Sequence, residues 1–315
     1  MSGDVSGDAA TLLTRGEEEA LRGRSNWMGL WLVTHAWAMI FAAMALVVWW
    51  PACWTYLLAF VVISNRQLGL AILMHDAAHR LLFADPGVND WVGARLCGDP
   101  VGANLRVYRP YHLAHHRATQ TRDDPDLVLS APFPIHWASF RRKMMRDLLG
   151  ITGFQLRRAQ LRAATGEAKS PAAKLRALLA REGGFLGTNA ILGLALAGTG
   201  NPWLYPALWL APLLTGYQLV SRLRNIAEHA VVGEARDPLR NTRTTHASVL
   251  ARMSVAPYWV NYHLGHHLFV YTPCWKLPRA HRLLKAKGYA PRMELAENYL
   301  EVLRKACSAP REPRR

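Results

Sequence analysis

The chain has 315 residues, 51% of them hydrophobic, and its 38 Lys and Arg against 22 Asp and Glu give a formal net charge of +16 at pH 7. Its four cysteines, Cys53, Cys97, Cys274 and Cys307, form no CxxC pair, which argues against a disulfide framework and against a zinc knuckle. The mean hydropathy of −0.01 averages over two apolar blocks that alternate with basic polar ones. Several of the 12 Trp stand at the ends of apolar runs, which is typical of membrane proteins.

The basic residues are concentrated in a few stretches, and their positions favour a membrane over other partners. Of the 38 Lys and Arg, 17 lie in 75–184, 16 in 223–315 and three in 1–26, whereas the short connections 51–53 and 200–202 carry none. This distribution follows the positive-inside rule. We therefore expect a multi-pass integral membrane protein with both termini cytoplasmic, in the cell inner membrane if the source is bacterial. We expect no nucleic-acid partner, because no nucleic-acid-binding motif accompanies the charge.

Residues 1–26 are polar, first acidic and then basic. They lack the apolar core of a signal peptide, so we expect them to form a cytoplasmic tail. Residues 27–50 then form an apolar run broken only by Thr34 and His35, which is long enough to span a bilayer. We expect His35, as the only histidine in this run, to be structural.

The second predicted span, 53–74, is interrupted by Asn65, Arg66 and Gln67. Ionisable groups at membrane depth are costly and usually face a bundle interior or a cavity. Two interpretations remain open: this face lines the approach to an active site, or the triplet lies nearer to the membrane interface than its position suggests.

Two further spans are expected at 183–200 and 202–223, the second bent by Pro206 and Pro212. The charges of 156–182 favour amphipathic helices on the membrane surface. The predicted fold is an all-α integral membrane protein with four transmembrane helices in two hairpins and a cytoplasmic helical cap. We treat 1–315 as one domain, composed of the tail 1–26, the hairpins 27–74 and 183–223, and the cytoplasmic segments 75–182 and 224–315.

The motif HxxHH occurs at His112, His115 and His116 and again at His263, His266 and His267. On a helix, residues i, i+3 and i+4 fall within about 100° of one another, so three imidazoles point from one face. Neutral imidazole is the commonest metal ligand in proteins. Two such motifs offer six nitrogens, which is more than a single tetrahedral zinc ion uses.

Two more pairs of candidate ligands follow the second and fourth predicted spans. His75 and His79 are spaced i and i+4, as are Asn225 and His229, so each pair shares a helix face. Each hairpin thus delivers candidate ligands to the same membrane surface. Nine of the 13 histidines lie in these four groups, and the isolated ones are His35, His136, His246 and His281.

Nine imidazoles without thiolates suit two transition-metal ions, with iron or copper as the redox candidates. A zinc protease is a poor explanation, because the HExxH-like spacing of His75 and His79 needs only one further ligand and leaves about six histidines unused. A metal transporter or sensor is the alternative outside the enzymes. It predicts ligands within or across the spans, whereas every cluster here lies just beyond the end of a span.

The ordered set HxxxH, HxxHH, NxxxH, HxxHH after paired spans resembles the membrane fatty-acid desaturase/hydroxylase superfamily, over roughly residues 27–290. The run NYHLGHHLF at 261–269, followed by Pro273, Pro278 and His281, is similar to the acyl-lipid desaturase branch, as is the run DDPD at 123–126. One departure is Gly265, since many acyl-lipid members carry Glu at that position.

The resemblance implies a non-haem di-iron centre, with two Fe ions as cofactor and O2 as co-substrate. The metal positions that it implies are His75, His79, His112, His115, His116, His229, His263, His266 and His267, together with Asn225, which in the family can meet a metal through a water. The division of these residues between the two irons stays open. Asp76, Glu228 and the carboxylates of 123–126 are close enough in sequence to accept a hydrogen bond from a ligating imidazole. The alternative for each is an ordinary surface charge or a helix cap.

The activity implied by the resemblance is that of an O2-dependent fatty-acyl lipid desaturase, with an acyl-chain lipid as substrate. An aliphatic C–H bond offers no acidic proton, so its cleavage is the cofactor's chemistry. Because desaturation and hydroxylation share the first hydrogen abstraction, the alternative is a di-iron hydroxylase or ketolase of an alkyl, sphingoid or carotenoid substrate. The chain carries neither a His-Pro-Gly-Gly haem motif nor a flavin-type GxGxxG. We therefore expect a separate ferredoxin-like or cytochrome-like electron donor to dock on the basic face.

Overall fold

The computed structural model describes residues 12–166, 168–233 and 236–310. These residues fold mainly as helices, which pack around the second long helix of the chain. Residues 1–11 of the predicted cytoplasmic tail lie outside the described residues. The rest of the tail contains helix α1, Arg15–Arg22, whose first turn is capped by the hydroxyl of Thr14.

Two long helices occupy the positions of the first two predicted spans. They are α2, Asn26–Trp49, and α3, Cys53–Ala78, and in the described chain these two are long and apolar enough to cross a membrane. Helix α2 begins where the Ser25 hydroxyl accepts a hydrogen bond from the backbone N–H of Met28. It ends before Pro51, which cannot donate a backbone hydrogen bond.

Helix α3 is the central element of the fold. In its most apolar stretch 67% of the residues are buried inside the protein, against 39% for α2. It continues four residues past the predicted end at residue 74, so that His75 lies in its last turn and His79 caps it. The hairpin of α2 and α3 therefore leads without interruption into the first candidate ligands.

The polar triplet of α3 is buried inside the protein rather than at its surface. The side-chain amide of Gln67 donates to the backbone carbonyl of Trp209 at 2.9 Å. The guanidinium of Arg66 donates to the Asn65 side chain and lies 5.0 Å above the ring of Tyr258. Gln67 and Arg66 therefore join α3 to its neighbours, and Asn65 holds the Arg66 guanidinium.

Short helices and one long helix follow α3. They are α4 Pro86–Val92, a π-helical turn Gly93–Gly98, α5 Asp99–Val101, α6 Leu105–Ala118, α7 Leu127–Ser130, α8 Trp137–Leu148, α9 Ile151–Thr165 and α10 Pro171–Gly198. Within 156–182, Leu161, Leu175 and Leu179 are exposed. The placement of these helices on a membrane surface stays a prediction.

The second pair of predicted spans is less regular than the sequence suggests. The expected span 183–200 is the C-terminal part of α10, which begins at Pro171. The expected span 202–223 is divided into a π-helical turn Tyr205–Leu210, α11 Ala211–Leu214 and α12 Gly216–His229. The break falls at Thr215, whose φ of −122° and ψ of −83° are not helical. The four-span arrangement and the segment boundaries therefore stay predictions.

The C-terminal part of the chain consists of short elements. They are β1 Thr244–Thr245, α13 Val249–Ser254, a 3-10 turn Pro257–Trp259, α14 His263–Leu268, a 3-10 turn Cys274–Lys276, α15 Leu277–Ala286, a 3-10 turn Ala290–Arg292, β2 Leu295–Ala296 and α16 Tyr299–Ala306. The strands β1 and β2 pair in parallel, with Thr244 opposite Leu295. The all-α prediction missed this pair, because strands of two residues leave no alternation in a sequence.

A strained turn leads into α14. Tyr258 and Trp259 both have positive φ values, 51° and 57°, which cost free energy in residues with bulky side chains. The Tyr258 hydroxyl donates to the carbonyl of Leu32 at 3.2 Å and lies 3.1 Å from Nδ1 of His35. These contacts hold the turn against the α2–α3 hairpin, and they confirm that His35 has a structural role.

We predict that Gly93→Ala destabilises the protein by about 1–3 kcal/mol, because the new methyl group overpacks a buried contact. A Cβ at Gly93 would lie 2.2 Å from the Cβ of Ala77, a buried residue of α3 with no flexible side chain to move aside. Thermal unfolding of the purified protein in detergent measures the effect.

The matched control is Gly187→Ala on the exposed side of α10, where no atom lies within 4 Å of an added Cβ. There alanine improves helix propensity and leaves the unfolding temperature unchanged or raised. Equal unfolding temperatures for Gly93→Ala and the unmodified protein would contradict the packing argument.

Candidate metal centre

Four segments deliver histidines to one place beside the end of α3. They are the last turn of α3 with its cap, α6, the C-terminal residue of α12, and α14. The residues that meet there are His75, His79, His112, His115, His116, His229, His263, His266 and His267. All nine histidines predicted as metal ligands are therefore brought together.

The first histidine cluster contains His75, His79, His112, His116 and His266. One ring nitrogen of each lies within 4.8 Å of those of the others. Nε2 of His116 is 2.9 Å from Nε2 of His112 and 3.1 Å from Nε2 of His266. The last turn of α3 contributes to this cluster alone.

The second histidine cluster contains His115, His229, His263 and His267, and their ring nitrogens meet the same limit of 4.8 Å. Nε2 of His263 is 2.8 Å from Nε2 of His229 and 3.0 Å from Nε2 of His267. Helix α12 contributes to this cluster alone.

Each HxxHH motif serves both clusters. In α6, His112 and His116 (i and i+4) belong to the first cluster and His115 (i+3) to the second. Helix α14 reverses the assignment: its i and i+4 histidines belong to the second cluster and its i+3 histidine to the first. At about 100° per residue, i+4 lies roughly 40° to one side of i and i+3 roughly 60° to the other. One helix can therefore place ligands in two adjacent sites.

The spacing of the nitrogens fits metal ions. An imidazole nitrogen binds zinc, for example, at about 2.0–2.1 Å, so two ligands at right angles lie about 3 Å apart. The four Nε2 separations in the clusters, 2.8–3.1 Å, match this value. In addition, Nε2 of His75 and of His79 is buried and has no hydrogen-bond partner among the described residues. Buried polar atoms without a partner are rare, and a metal ion would satisfy these two.

Burial also keeps the rings in the form that binds metal. Desolvation, followed by the charge of neighbouring rings, lowers the pKa of His112, His116 and His267 well below the ordinary histidine value. Burial lowers the pKa of His79 to about 4, with the Arg109 guanidinium adding to the effect. These imidazoles are therefore neutral at physiological pH, with a lone pair available for a metal ion.

Asp124 orients His115 in the second cluster. Its Oδ1 lies 2.7 Å from Nδ1 of His115, and both side chains are buried. Burial alone would raise the pKa of Asp124, but hydrogen bonds from His115 and from the backbone N–H groups of Gln120 and Asp126 outweigh it and hold the pKa below its usual value. The carboxylate thus fixes Nδ1–H on His115 and leaves Nε2 free to face the cluster.

Glu228 takes a similar place beside His263. Its Oε2 lies 3.5 Å from Nδ1 of His263, and the carboxylate pairs with Arg224 at 2.6 Å. Burial raises the pKa of Glu228 to about 8, although the guanidinium of Arg224 opposes the shift. Two of the predicted supporting acids, Asp124 and Glu228, therefore do stand beside clustered histidines.

Asp76 has a different contact from the one expected. Its Oδ2 accepts a hydrogen bond from the backbone N–H of Cys274 at 2.9 Å, whereas its Oδ1 is 3.8 Å from Nδ1 of His75. The longer distance is beyond a hydrogen bond. Asp76 therefore anchors the segment that follows α14.

Sequence reasoning missed one supporting residue and leaves another untested. The Thr119 hydroxyl lies 3.2 Å from Nδ1 of His267 and donates to the carbonyl of His115. Its only signal in the sequence is the i+4 spacing from His115. Asn225 lies one turn before His229 on α12 and is half-buried, and its role at the metal stays a prediction.

The isolated histidines lie outside both clusters. Nδ1 of His136 accepts a hydrogen bond from the backbone N–H of Ala138 and caps α8. His246 and His281 line a separate cavity.

Gly265 stands where many acyl-lipid members carry Glu. No atom lies within 4 Å of a Cβ added at Gly265, so lack of space at that point does not explain the absence of Glu.

Comparison with protein families gives a match to the family described as fatty acid desaturase over residues 48–299, which is most of the chain and includes all nine clustered histidines. All four histidine groups therefore lie within the matched part of the chain.

Three proteins of known name are similar to the chain. A dihydrorhizobitoxine desaturase of Bradyrhizobium elkanii is 26% identical, covering 84% of this chain and 78% of its own length. A zeaxanthin 4-ketolase of Chlamydomonas reinhardtii is 24% identical over 84% of this chain, which spans only 51% of that protein. A beta-carotene ketolase of Paracoccus sp. is 23% identical, covering 70% of this chain and 76% of its own length.

We predict that Asp124→Asn weakens metal retention roughly 10–100-fold, because His115 loses the carboxylate that orients it. Metal content per chain, measured after dialysis against increasing concentrations of a chelator, gives the change. Asp123→Asn is the control, since it removes the same charge from an exposed neighbouring residue. If both variants retained metal as the unmodified protein does, the role of Asp124 would be refuted.

Proposed function

The chain belongs to the fatty acid desaturase family, and on that premise we propose that it is an O2-dependent di-iron desaturase that introduces a double bond into an acyl chain of a lipid. The observation that carries the proposal is the pair of adjacent clusters, with five and four histidine nitrogens within 4.8 Å. Two adjacent nitrogen-rich sites without thiolate suit two redox-active metal ions better than one structural zinc ion.

We assign one iron to each cluster. The first histidine cluster supplies five imidazoles, and the second supplies four, with Asn225 one helical turn from His229 as a further candidate for the second iron. The second cluster has one histidine fewer than the first, which leaves room in the second site for a water held by Asn225. Removing a histidine of α6 or α14 is therefore expected to affect the site to which that residue belongs.

The iron pair, when bound, supplies the activation of O2 and the abstraction of hydrogen from an unactivated methylene. The protein contributes position and environment. The buried imidazoles stay neutral, Asp124 holds His115 in a fixed orientation, Glu228 stands beside His263, and α3 joins the clusters to the apolar hairpin. This arrangement suits a substrate that reaches the metals from the membrane side.

The surrounding protein is assigned to a membrane. Two helices are long and apolar enough to cross it, and the part of α10 after residue 183 together with 202–223 would form the second hairpin. Both termini and the basic segments would then lie on the cytoplasmic side, following the positive-inside rule. The metal clusters lie beside the end of α3, on that same side of the proposed membrane.

A hydroxylase or ketolase is the second candidate, and two of the similar proteins named above are ketolases of carotenoids. The two outcomes differ in the product: a desaturated lipid has lost two hydrogens, whereas a hydroxylated or oxidised one has gained oxygen. Mass analysis of the lipids of a host that expresses the protein separates them.

Expression of the unmodified protein is predicted to give lipids lacking two hydrogens. His266→Ala is predicted to abolish this product, because the first cluster loses one of its five imidazoles. His136→Ala is the control, since His136 caps a helix away from both clusters and is expected to retain activity. Membrane insertion of each variant is checked by fractionation. An unchanged amount of product with His266→Ala would contradict the assignment of the site. Lipids that have gained oxygen would favour the hydroxylase.

The electron donor is proposed to be a separate ferredoxin-like or cytochrome-like protein. It would dock through complementary charge on the cytoplasmic side, where the basic segments 75–184 and 223–315 are assigned. Raising the ionic strength from about 0.1 to 1 M shortens the Debye length from about 10 to 3 Å. We therefore expect kcat/KM for the donor to fall by roughly tenfold or more, because steered association is lost. Turnover with a small chemical reductant is the control, and donor-driven turnover indifferent to salt would contradict this mode of docking.

A further inference from the structure

A cavity of about 810 Å³ lies outside both histidine clusters, between β1, α13, α15 and β2. Its volume is within the range of ligand sites in proteins, about 300–1,000 Å³. Asn261 and Tyr262 form part of its wall, and the next residue is His263 of the second cluster. The cavity is therefore separate from the metal centre but shares a backbone segment with it.

One part of the wall is cationic and available for a ligand. Arg252 and Lys285 line the cavity, both are exposed, and neither forms a salt bridge within the described ranges. His246 and His281 also line the cavity, and an imidazole can donate hydrogen bonds through its ring nitrogens. Such a wall matches the charge and the acceptor oxygens of a phosphate group.

The buried polar atoms of the lining residues are not available to an occupant. The Thr244 hydroxyl, Oδ1 of Asn261 and Nδ1 of His281 have no hydrogen-bond partner among the described residues, but each atom is covered by protein. Thr244 and Asn261 are only 4% and 3% exposed. A ligand in the cavity therefore meets the exposed charged side chains of the lining rather than these atoms.

The cavity is also lined by two acidic residues, and their charge limits the occupant. The Glu301 carboxylate is already engaged by Lys305 at 3.1 Å and by the backbone N–H of Glu297 at 2.7 Å. The exposed Glu297 carboxylate has no ion-pair partner in the described chain, so it is free to meet a cation. A group that carries both a phosphate and an ammonium can pair with the basic residues and with Glu297, whereas a purely anionic group leaves Glu297 without a partner.

The short helix beside the cavity places it near the membrane. Helix α13 packs against α3 and carries Arg252, while its apolar residues Val249, Leu250 and Met253 are 74%, 76% and 53% exposed. The following turn reaches Gly69 of α3, which is about 9 Å towards the membrane from His75 at 1.5 Å per residue. Exposed apolar side chains beside an arginine are the pattern of a helix seated at a lipid interface.

We propose that this cavity binds the zwitterionic head group of a membrane phospholipid, with the phosphate at Arg252 and Lys285 and the ammonium at Glu297. The apolar residues of α13 then lie among the acyl chains, and the head group lies beside the segment that leads into α14. We assign this lipid as the carrier of the acyl chain that is oxidised. This assignment rests on the proposed function.

The experiment is a lipid titration of the delipidated full-length protein, followed by native mass spectrometry. The probes are phosphatidylethanolamine and phosphatidylglycerol with identical acyl chains. Phosphatidylethanolamine is expected to bind at least about tenfold more tightly, since only this lipid has an ammonium for Glu297 as well as a phosphate for Arg252 and Lys285. Equal binding of the two lipids would overturn the proposal, and so would displacement of bound lipid by inorganic phosphate at low millimolar concentration, which would indicate a site for the free anion.

Variants test the basic residues and the acidic residue of the cavity separately. Arg252→Gln with Lys285→Gln is expected to weaken phosphatidylethanolamine binding at least about tenfold, because both phosphate partners are lost. Glu297→Gln is expected to remove the discrimination between the two lipids. The matched control, Arg141→Gln with Arg142→Gln, removes the same charge from exposed positions on α8 and is expected to leave lipid binding unchanged. Equal losses in the control and the cavity variant would overturn the assignment.

The two proposals fail in distinguishable ways, because lipid retention is measured without turnover. A protein that desaturates lipids but binds both lipids equally keeps the proposed function and refutes the head-group site. A protein that retains phosphatidylethanolamine selectively but converts no acyl chain supports the site and refutes the function.

Discussion

The fold depends on one costly arrangement, the packing of nine buried or half-buried imidazoles into two clusters whose ring nitrogens lie within 4.8 Å of one another. A positive charge on any of them would be repelled by its neighbours and poorly solvated, and the low pKa values of the cluster histidines express this cost. Neutral rings face one another with lone pairs that few protein donors satisfy. Metal ions remove this cost, because each satisfies several nitrogens at once. The clusters are therefore best understood as sites completed by metal.

The use of each HxxHH motif for both sites explains why four short segments suffice. If each helix offered all three rings to one metal ion, the second metal ion would need its own, independent set of ligands. By sending i and i+4 to one cluster and i+3 to the other, α6 and α14 cross-link the two sites. Helices α3 and α12 each complete one cluster, so that a shift of either helix would alter one site first.

Much of the architecture was predictable from the sequence, and the exceptions have physical causes. Apolar length placed α2 and α3, and the i, i+4 spacing placed the ligands, because both are local properties. The division into two clusters was not predictable, since it depends on how four helices approach one another. For the same reason the sequence could not tell that Asp124 supports a histidine whereas Asp76 anchors a loop. The break at Thr215 and the left-handed Tyr258 depend on tertiary packing and leave no periodic signal.

The central claim is that these nine histidines hold two iron ions. The most direct measurement is the metal content of the purified full-length protein by elemental analysis, combined with Mössbauer spectroscopy of protein enriched in the isotope of iron that this method detects. The account predicts two irons per chain with spectra of a coupled pair. Zinc in place of iron, or a single iron per chain in fully loaded protein, would contradict it.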